Sequence, residues 1–173
     1  PSTNLEALAM RYLGAFGPAS ATDFQNWSGL KGGRDVFNAL RPRLVTYRDD
    51  RKRELFDLPD APRPDESTPA PVRFLPGFDN VILGHDDRSR IIADEHRPRV
   101  STKNLQVLPT FLVDGVVAGT WKAGRTKGTA SLVITPFAAV PTKLKAEVVR
   151  EAEQVVRFLH PDAGKPSVAF ENA

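Results

Sequence analysis

The sequence predicts an α+β chain in two parts, a winged-helix domain followed by a small antiparallel β-barrel with a C-terminal helix. Three observations predict it. Before residue 41, apolar residues recur three times at helical spacing and are followed by two short β-rich runs. A Pro-rich, acidic stretch then interrupts all periodicity. Beyond it, three runs rich in Val, Ile, Leu, Thr and Phe precede one long amphipathic segment.

Taken in order, Leu5, Leu8, Ala9, Tyr12, Leu13 and Phe16 step by threes and fours and predict a first helix that Gly17-Pro18 ends. Ser20 with Asp23 three residues on forms an N-cap pair, so a second helix is expected from about Ala21 to Trp27, stopped by Gly29. A third carries Val36, Phe37 and Leu40 and ends before Pro42, because the residue preceding a proline disfavours helical geometry. Leu44 to Tyr47 and Glu54 to Leu58 read as strands joined by the polar turn Arg48 to Arg53. Three helices and a hairpin in this order are the winged-helix arrangement, over residues 1–58, with the third helix in the recognition position and the hairpin as the wing.

Residues 59–71 hold five prolines and almost nothing apolar, and are expected to be an extended linker. A β-barrel domain with its packed helix is expected over 72–160. Within it, Val81 to Gly84 is apolar and ambiguous, and Arg88 to Glu95 is expected as a short helix closed by Pro98. Val107 to Val113, Val116 to Ala123 and Ser131 to Phe137 are the strands, with Asp114-Gly115 as one hairpin turn and a second turn within Gly124 to Gly128. Their sheet is expected to close as a barrel. From Lys143 to His160 the apolar positions Leu144, Val148, Val149, Ala152, Val155, Val156 and Leu159 share a helical face that packs on it. Residues 161–173 lack periodicity and are expected to be a flexible tail.

Composition narrows the function classes. The chain has no cysteine, which excludes disulfide and thiolate chemistry and suits a reducing cytoplasm. No apolar run approaches the roughly 20 residues that span a bilayer, so neither a membrane partner nor a membrane location is expected. The net charge of +3 is modest, but its distribution is not even. Between Lys31 and Arg53 eight basic residues stand against three acids, and from Arg97 to Lys127 six basic residues stand against Asp114 alone. Cationic segments of this kind match a phosphate-binding footprint, and also match plain solvated surface.

The candidate binding residues follow from those segments. Arg34, Asn38 and Arg41 lie near one another on the third helix, where Arg can bond guanine and Asn adenine; an ordinary solvated helix face has the same look. Arg51, Lys52 and Arg53 at the wing suit phosphate or minor-groove contact, as a charged turn also would. Arg125 and Lys127, set between Gly124 and Gly128 and beside Lys122, suit the tip of a groove-probing hairpin. Trp121 either stacks on a base or belongs to the core. His85, His96 and His160 lack the partners of a zinc site, His85-Asp86-Asp87 reads better as a polar turn than as a metal or acid–base cluster, and no phosphate-cradling glycine motif occurs; no metal or other cofactor is expected.

Several short elements in fixed order carry a resemblance. They are Tyr12-Leu13, Phe16-Gly17-Pro18, Asp23-Phe24 and Trp27-Ser28-Gly29-Leu30, then Leu75-Pro76-Gly77-Phe78-Asp79, Asp87-Arg88-Ser89, Glu95-His96-Arg97, and Val113-Asp114-Gly115 with Gly119-Thr120-Trp121. Over roughly residues 5–160 this set resembles the C-terminal half of the bacterial winged-helix DNA glycosylases of the AlkZ/YcaQ type. The resemblance implies double-stranded DNA as partner, excision of bulky or cross-linked alkylated bases as the process, and a barrel hairpin that approaches the lesion. It also implies N-terminal winged-helix domains carrying a catalytic Gln-x-Gln element. Gln25, Gln106 and Gln154 are isolated, so no catalytic residue is assigned to this chain, and a start at Pro1 without methionine suits a segment of a longer protein. The alternative from another class is a non-catalytic winged-helix DNA-binding protein, transcriptional or scaffolding. A third reading gives the basic surfaces to solubility alone.

Overall fold

The protein is described from a computed structural model that covers residues 4–102, 104–126 and 128–171. The chain divides into two compact units, one of Pro1–Thr68 with Asn80–Arg88 and one of Pro69–Asp79 with Ser89–Ala173.

In the first unit, α1 spans Leu5–Phe16 and starts at Asn4, whose side chain accepts from the Ala7 N–H at 3.0 Å. Helix α2, Ala21–Ser28, opens on a complete capping box in which the Ser20 hydroxyl accepts from the Asp23 N–H while the Asp23 carboxylate accepts from the Ser20 N–H. It ends at Gly29 with φ +69°, a left-handed C-cap that glycine adopts without a Cβ penalty. Helix α3 spans Gly33–Leu40. Gly33 is needed there, since a Cβ would fall 2.9 Å from the Ala21 carbonyl oxygen, and its N–H donates to Gln25 Oε1 at 2.8 Å.

Strands β1, Val45–Arg48, and β2, Glu54–Asp57, pair antiparallel, and Ala19 adds a rung by exchanging two backbone hydrogen bonds with Phe56. The core is aromatic. Tyr12, Phe24, Phe37 and Phe56 are all buried, with Tyr12–Phe24 centroids 5.4 Å and Phe37–Phe56 centroids 5.1 Å apart in edge-on geometry.

Two expectations change in this unit. Val81 to Leu83 of the stretch that was ambiguous in sequence lie in a one-turn helix α4, Asn80–Leu83, and the carbonyl of Gly84, just after it, accepts from the buried Tyr12 hydroxyl at 2.6 Å. The start of the Pro-rich stretch is not simply extended. Arg63 folds it back by donating to the carbonyls of Leu58, Pro59 and Ala61 and to the Asp57 carboxylate, with its guanidinium over the Tyr47 ring.

The second unit is one mixed sheet of β3 (Arg73–Leu75), β4 (Thr110–Val113), β5 (Val116–Thr126), β6 (Thr129–Pro136) and β7 (Ser167–Phe170), in the order β3-β4-β5-β6-β7. All neighbours are antiparallel except β6 and β7, which run parallel. The sheet has two edges and, among the described residues, does not close; the barrel expectation is therefore corrected to an open sheet. Its physical reason is the long helix α6, Thr142–Leu159, which lays Val148, Ala152 and Val156 against a core containing Phe111, Leu132 and Ile134. A helix covering the apolar face removes the need to bury it by closure.

The expected tail is also corrected. Ser167–Phe170 forms β7, a parallel edge strand reached through the helical crossover that parallel pairing requires. The expected helix over Arg88 to Glu95 is replaced by a 3₁₀ turn at Asp94–His96 leading into α5, Arg97–Val100. Pro98 sits in the first turn of α5, where its missing N–H is harmless, so it opens a helix instead of closing one.

Candidate nucleic-acid interface

Arg34 and Asn38 project from α3 into solvent, and both line a cleft of about 440 Å³ with Arg53, Glu54 and Asp86, over Phe37 and Phe56. Arg41 stands just past the end of α3 and is already engaged. Its two terminal nitrogens donate to the two Glu54 carboxylate oxygens at 2.8 Å each, one also reaches Asn38 Oδ1 at 3.4 Å, and its guanidinium lies 5.1 Å from the Phe56 centroid. The hydrogen bonds from Arg41 hold the Glu54 carboxyl below its ordinary range. The structure thus groups the three α3 candidates on one side, but commits Arg41 to Glu54. Arg34 has no ion-pair partner among the described residues.

The wing divides likewise. Arg51 and Arg53 both reach the Asp87 carboxylate, at 3.0 and 2.7 Å, and Arg53 also pairs with Asp49 at 2.6 Å. Lys52, at φ +65°, stays exposed at the turn. His85-Asp86-Asp87 is a structural segment: His85 Nε2 is 2.9 Å from the Phe16 carbonyl oxygen, the Asp86 N–H donates to Asp23, and Asp87 holds the two wing arginines. Among the described residues no group of three His, Cys, Asp or Glu side chains is placed to hold a metal ion.

In the second unit, β5 and β6 pair from Gly119↔Pro136 out to Thr126↔Thr129. The expected turn within Gly124 to Gly128 is therefore narrower, because Gly124 and Arg125 are strand residues and Gly128, at φ +82°, carries the bend. Beyond Trp121 every described β5 side chain is exposed, whereas on β6 Leu132 and Ala130, opposite Ala123 and Arg125, are fully buried, so it is the outer end of β5 that leaves the core. Side chains alternate along a strand, which puts Lys122 and Arg125 on opposite faces of this ribbon. Lys127 lies outside the described residues. Trp121 is 8% exposed, and its indole N–H is shared between the Leu75 and Thr110 carbonyls at 3.0 and 3.1 Å. That environment makes Trp121 a core residue, and its reading as a base-stacking side chain is corrected.

Residues 1–158 match the family described as DNA glycosylase AlkZ-like. The chain belongs to the AlkZ-like family. It is 32% identical, over 155 residues, to an interstrand DNA cross-link repair glycosylase of Streptomyces sahachiroi. The match covers 84% of this chain and 40% of that protein, so the chain spans well under half of its relative. The solved structure of Streptomyces sahachiroi DNA glycosylase AlkZ superposes with a TM-score of 0.69 at 28% identity, over 97% of this chain and 45% of that one.

In this AlkZ-like chain the sequence elements that carry the likeness prove largely architectural. Asp23 caps α2, Asp87 clamps the wing, and Gly119 leaves room for the Phe111 ring, whose Cε1 lies 2.5 Å from where a Cβ would stand. Gln25 is used to bond Gly33. Sequence reasoning missed Asp87 as the partner of Arg51 and Arg53, since nothing in a spacing of more than 30 residues signals an ion pair. It also missed Glu54, although an acid opening a strand beside a basic helix end was a readable hint.

Proposed function

We propose that this chain is the DNA-binding segment of an AlkZ-like base-excision repair protein that acts on bulky or cross-linked alkylated bases. The observation that carries the reading is the outer end of β5, exposed from Lys122 to Thr126, with a cation on each face. A groove of duplex DNA is walled by two phosphate strands. The exposed end of β5 set against it offers Lys122 on one face and Arg125 on the other as countercharges to the phosphates. Family membership gives the ribbon its context, and glycosidic hydrolysis is assigned to the part of the relative that these 173 residues do not match.

Within the same reading, the first unit is a winged helix with α3 as its recognition helix and β1–β2 as its wing, because α1, α2, α3 and the hairpin follow in that order. Arg34, Asn38 and Lys52 then present themselves to DNA, while Arg51 and Arg53 fix the wing through Asp87.

Fluorescence anisotropy with a labelled duplex, with and without an abasic-site analogue, tests the proposal across a salt series. The chain is expected to bind with a steep salt dependence. Lys122→Glu with Arg125→Glu is expected to reduce the log–log salt slope by about 2, the loss of two phosphate contacts. An unchanged slope and affinity in that double variant would remove the ribbon from the interface.

A further inference from the structure

The outer part of β5 has a strand partner on one side only. β6 pairs with it as far as Thr126↔Thr129, whereas β4 begins at Thr110, opposite Thr120. One more bond follows on that side, from the Trp121 N–H to the Pro109 carbonyl at 3.1 Å. There the chain leaves the sheet, because Pro109 has no N–H to give and the Leu108 N–H donates to the Val100 carbonyl at 2.9 Å. Every β5 side chain from Lys122 to Thr126 is exposed beside this gap.

Strand geometry fixes which backbone groups are left over. In an antiparallel sheet, alternate residues direct both their N–H and their C=O to the same neighbour. Trp121 directs its pair toward β4, so Ala123 and Arg125 point the same way, while Lys122, Gly124 and Thr126 face β6. No shift of register interrupts β5 and β6 over this length. The N–H and C=O of Ala123 and of Arg125 therefore have no partner among the described residues.

This edge alternates donor and acceptor, and that pattern selects its partner. Phosphate oxygens only accept, so phosphates set along the edge would also meet its two carbonyls. A second peptide backbone answers both kinds of group, as strand addition requires. The side chains then choose among peptides. Lys122 and Arg125, on opposite faces, have no salt bridge among the described residues, and Thr129–Val133 opposite them carry no charge. Two copies of the edge set side by side would bring these cations together, which opposes self-pairing. Carboxylates on an incoming strand meet opposite charge on both faces. Ala123 and Gly124 keep the approach open, since a Cβ at Gly124 would have only Ser131 Oγ near it, at 3.9 Å.

We propose that the outer edge of β5 takes up an extended acidic peptide segment of another protein as an added strand. This goes beyond the DNA-binding reading and does not depend on it. The docked strand engages Lys122 and Arg125, so peptide and duplex compete for the same two cations.

The test uses the 173-residue chain and, as probe, an acetylated and amidated peptide of about eight residues that alternates Val and Glu. In the free chain, amide exchange followed by NMR is expected to be fast at Ala123 and Arg125 and slow at Lys122 and Gly124. Millimolar Val/Glu peptide is expected to slow exchange at Ala123 and Arg125 about tenfold or more, and a peptide alternating Val and Lys to leave it unchanged. Ala123→Pro removes an edge donor that β6 does not use, so the variant is expected to melt close to wild type. It should bind the Val/Glu peptide about tenfold more weakly, the loss of one backbone hydrogen bond, and should bind duplex DNA within about twofold of wild type. The Val/Glu peptide N-methylated at every residue, a control that leaves the protein unaltered, is expected not to dock. The proposal is overturned if Ala123 and Arg125 exchange slowly in the free chain, if the Val/Glu peptide does not slow them, or if the Val/Lys or N-methylated peptide slows them equally. It is also overturned if Ala123→Pro folds and binds the peptide like wild type. Slowing by duplex DNA but not by peptide overturns it as well and gives the edge to DNA. Peptide docking by a chain that binds no duplex at low salt leaves the proposal standing and removes the DNA-binding reading.

Discussion

Thr110 shows how single residues set the limits of this fold. It is fully buried at the start of β4, its carbonyl accepts from the Trp121 indole, and its hydroxyl has no hydrogen-bond partner among the described residues. A buried hydroxyl without a partner costs about 1–3 kcal/mol. Thr110→Val replaces it with a methyl group of similar size and leaves the carbonyl bond to Trp121 in place. The variant is expected to raise the urea unfolding midpoint by an amount equivalent to about 1 kcal/mol, with the same m-value. A fall in the midpoint would show that the hydroxyl is satisfied in solution.

At the scale of elements, the clip between Arg41 and Glu54 joins the end of α3 to the start of β2. Glu54 has its pKa lowered in the fold by the hydrogen bonds from Arg41, so its contribution to stability is present above the ordinary glutamate value of about 4.5 and is lost as pH falls through the depressed folded value. Both side chains are more than 40% exposed, so solvent and salt screen the pair and the effect is small. Glu54→Gln is expected to melt a few degrees below wild type at pH 7, with the gap closing as pH drops below 4.5 and narrowing in high salt. A gap that did not change with pH would mean that packing, and not the charge pair, carries the effect. Elements of this size were the legible part of the sequence. The helical periodicity of Leu5 to Phe16 and the capping pair Ser20 and Asp23 depend on neighbours within four residues, and so they can be read locally. The open sheet, the strand at Ser167–Phe170 and the clamp of Asp87 on Arg51 and Arg53 depend on partners more than 30 residues away. The candidate site divided along the same line: exposure of Lys122 and Arg125 was readable from their charge and their place at or beside the expected turn, whereas the burial of Trp121 depended on the carbonyls of Leu75 and Thr110.

At the scale of the whole molecule, the chain does not form its two units in succession. After the Pro-rich stretch it enters the second unit at Pro69, returns to the first over Asn80–Arg88, and then completes the second. That returning segment supplies the Gly84 carbonyl to the buried Tyr12 hydroxyl, the Asp86 N–H to Asp23, Asn80 Oδ1 to the Trp27 indole at 3.2 Å, and the Asp87 carboxylate to two wing arginines. It also brings Ile82, which is buried. A fragment cut within the proline-rich stretch therefore keeps all of α1, α2, α3 and the hairpin but loses each of these contacts, and it leaves the Tyr12 hydroxyl without that acceptor inside an aromatic core. Losing one buried hydrogen-bond partner and one buried aliphatic side chain together costs about 3–5 kcal/mol, a large share of what a domain this small possesses. At about 4–8 °C per kcal/mol for 60–100 residues, the fragment 1–68 is expected to melt at least 12 °C below the fragment 1–88, or to lack a cooperative transition by circular dichroism. Equal melting of the two fragments would show that Asn80–Arg88 only rests on the first unit, and that the three helices with their hairpin are self-sufficient.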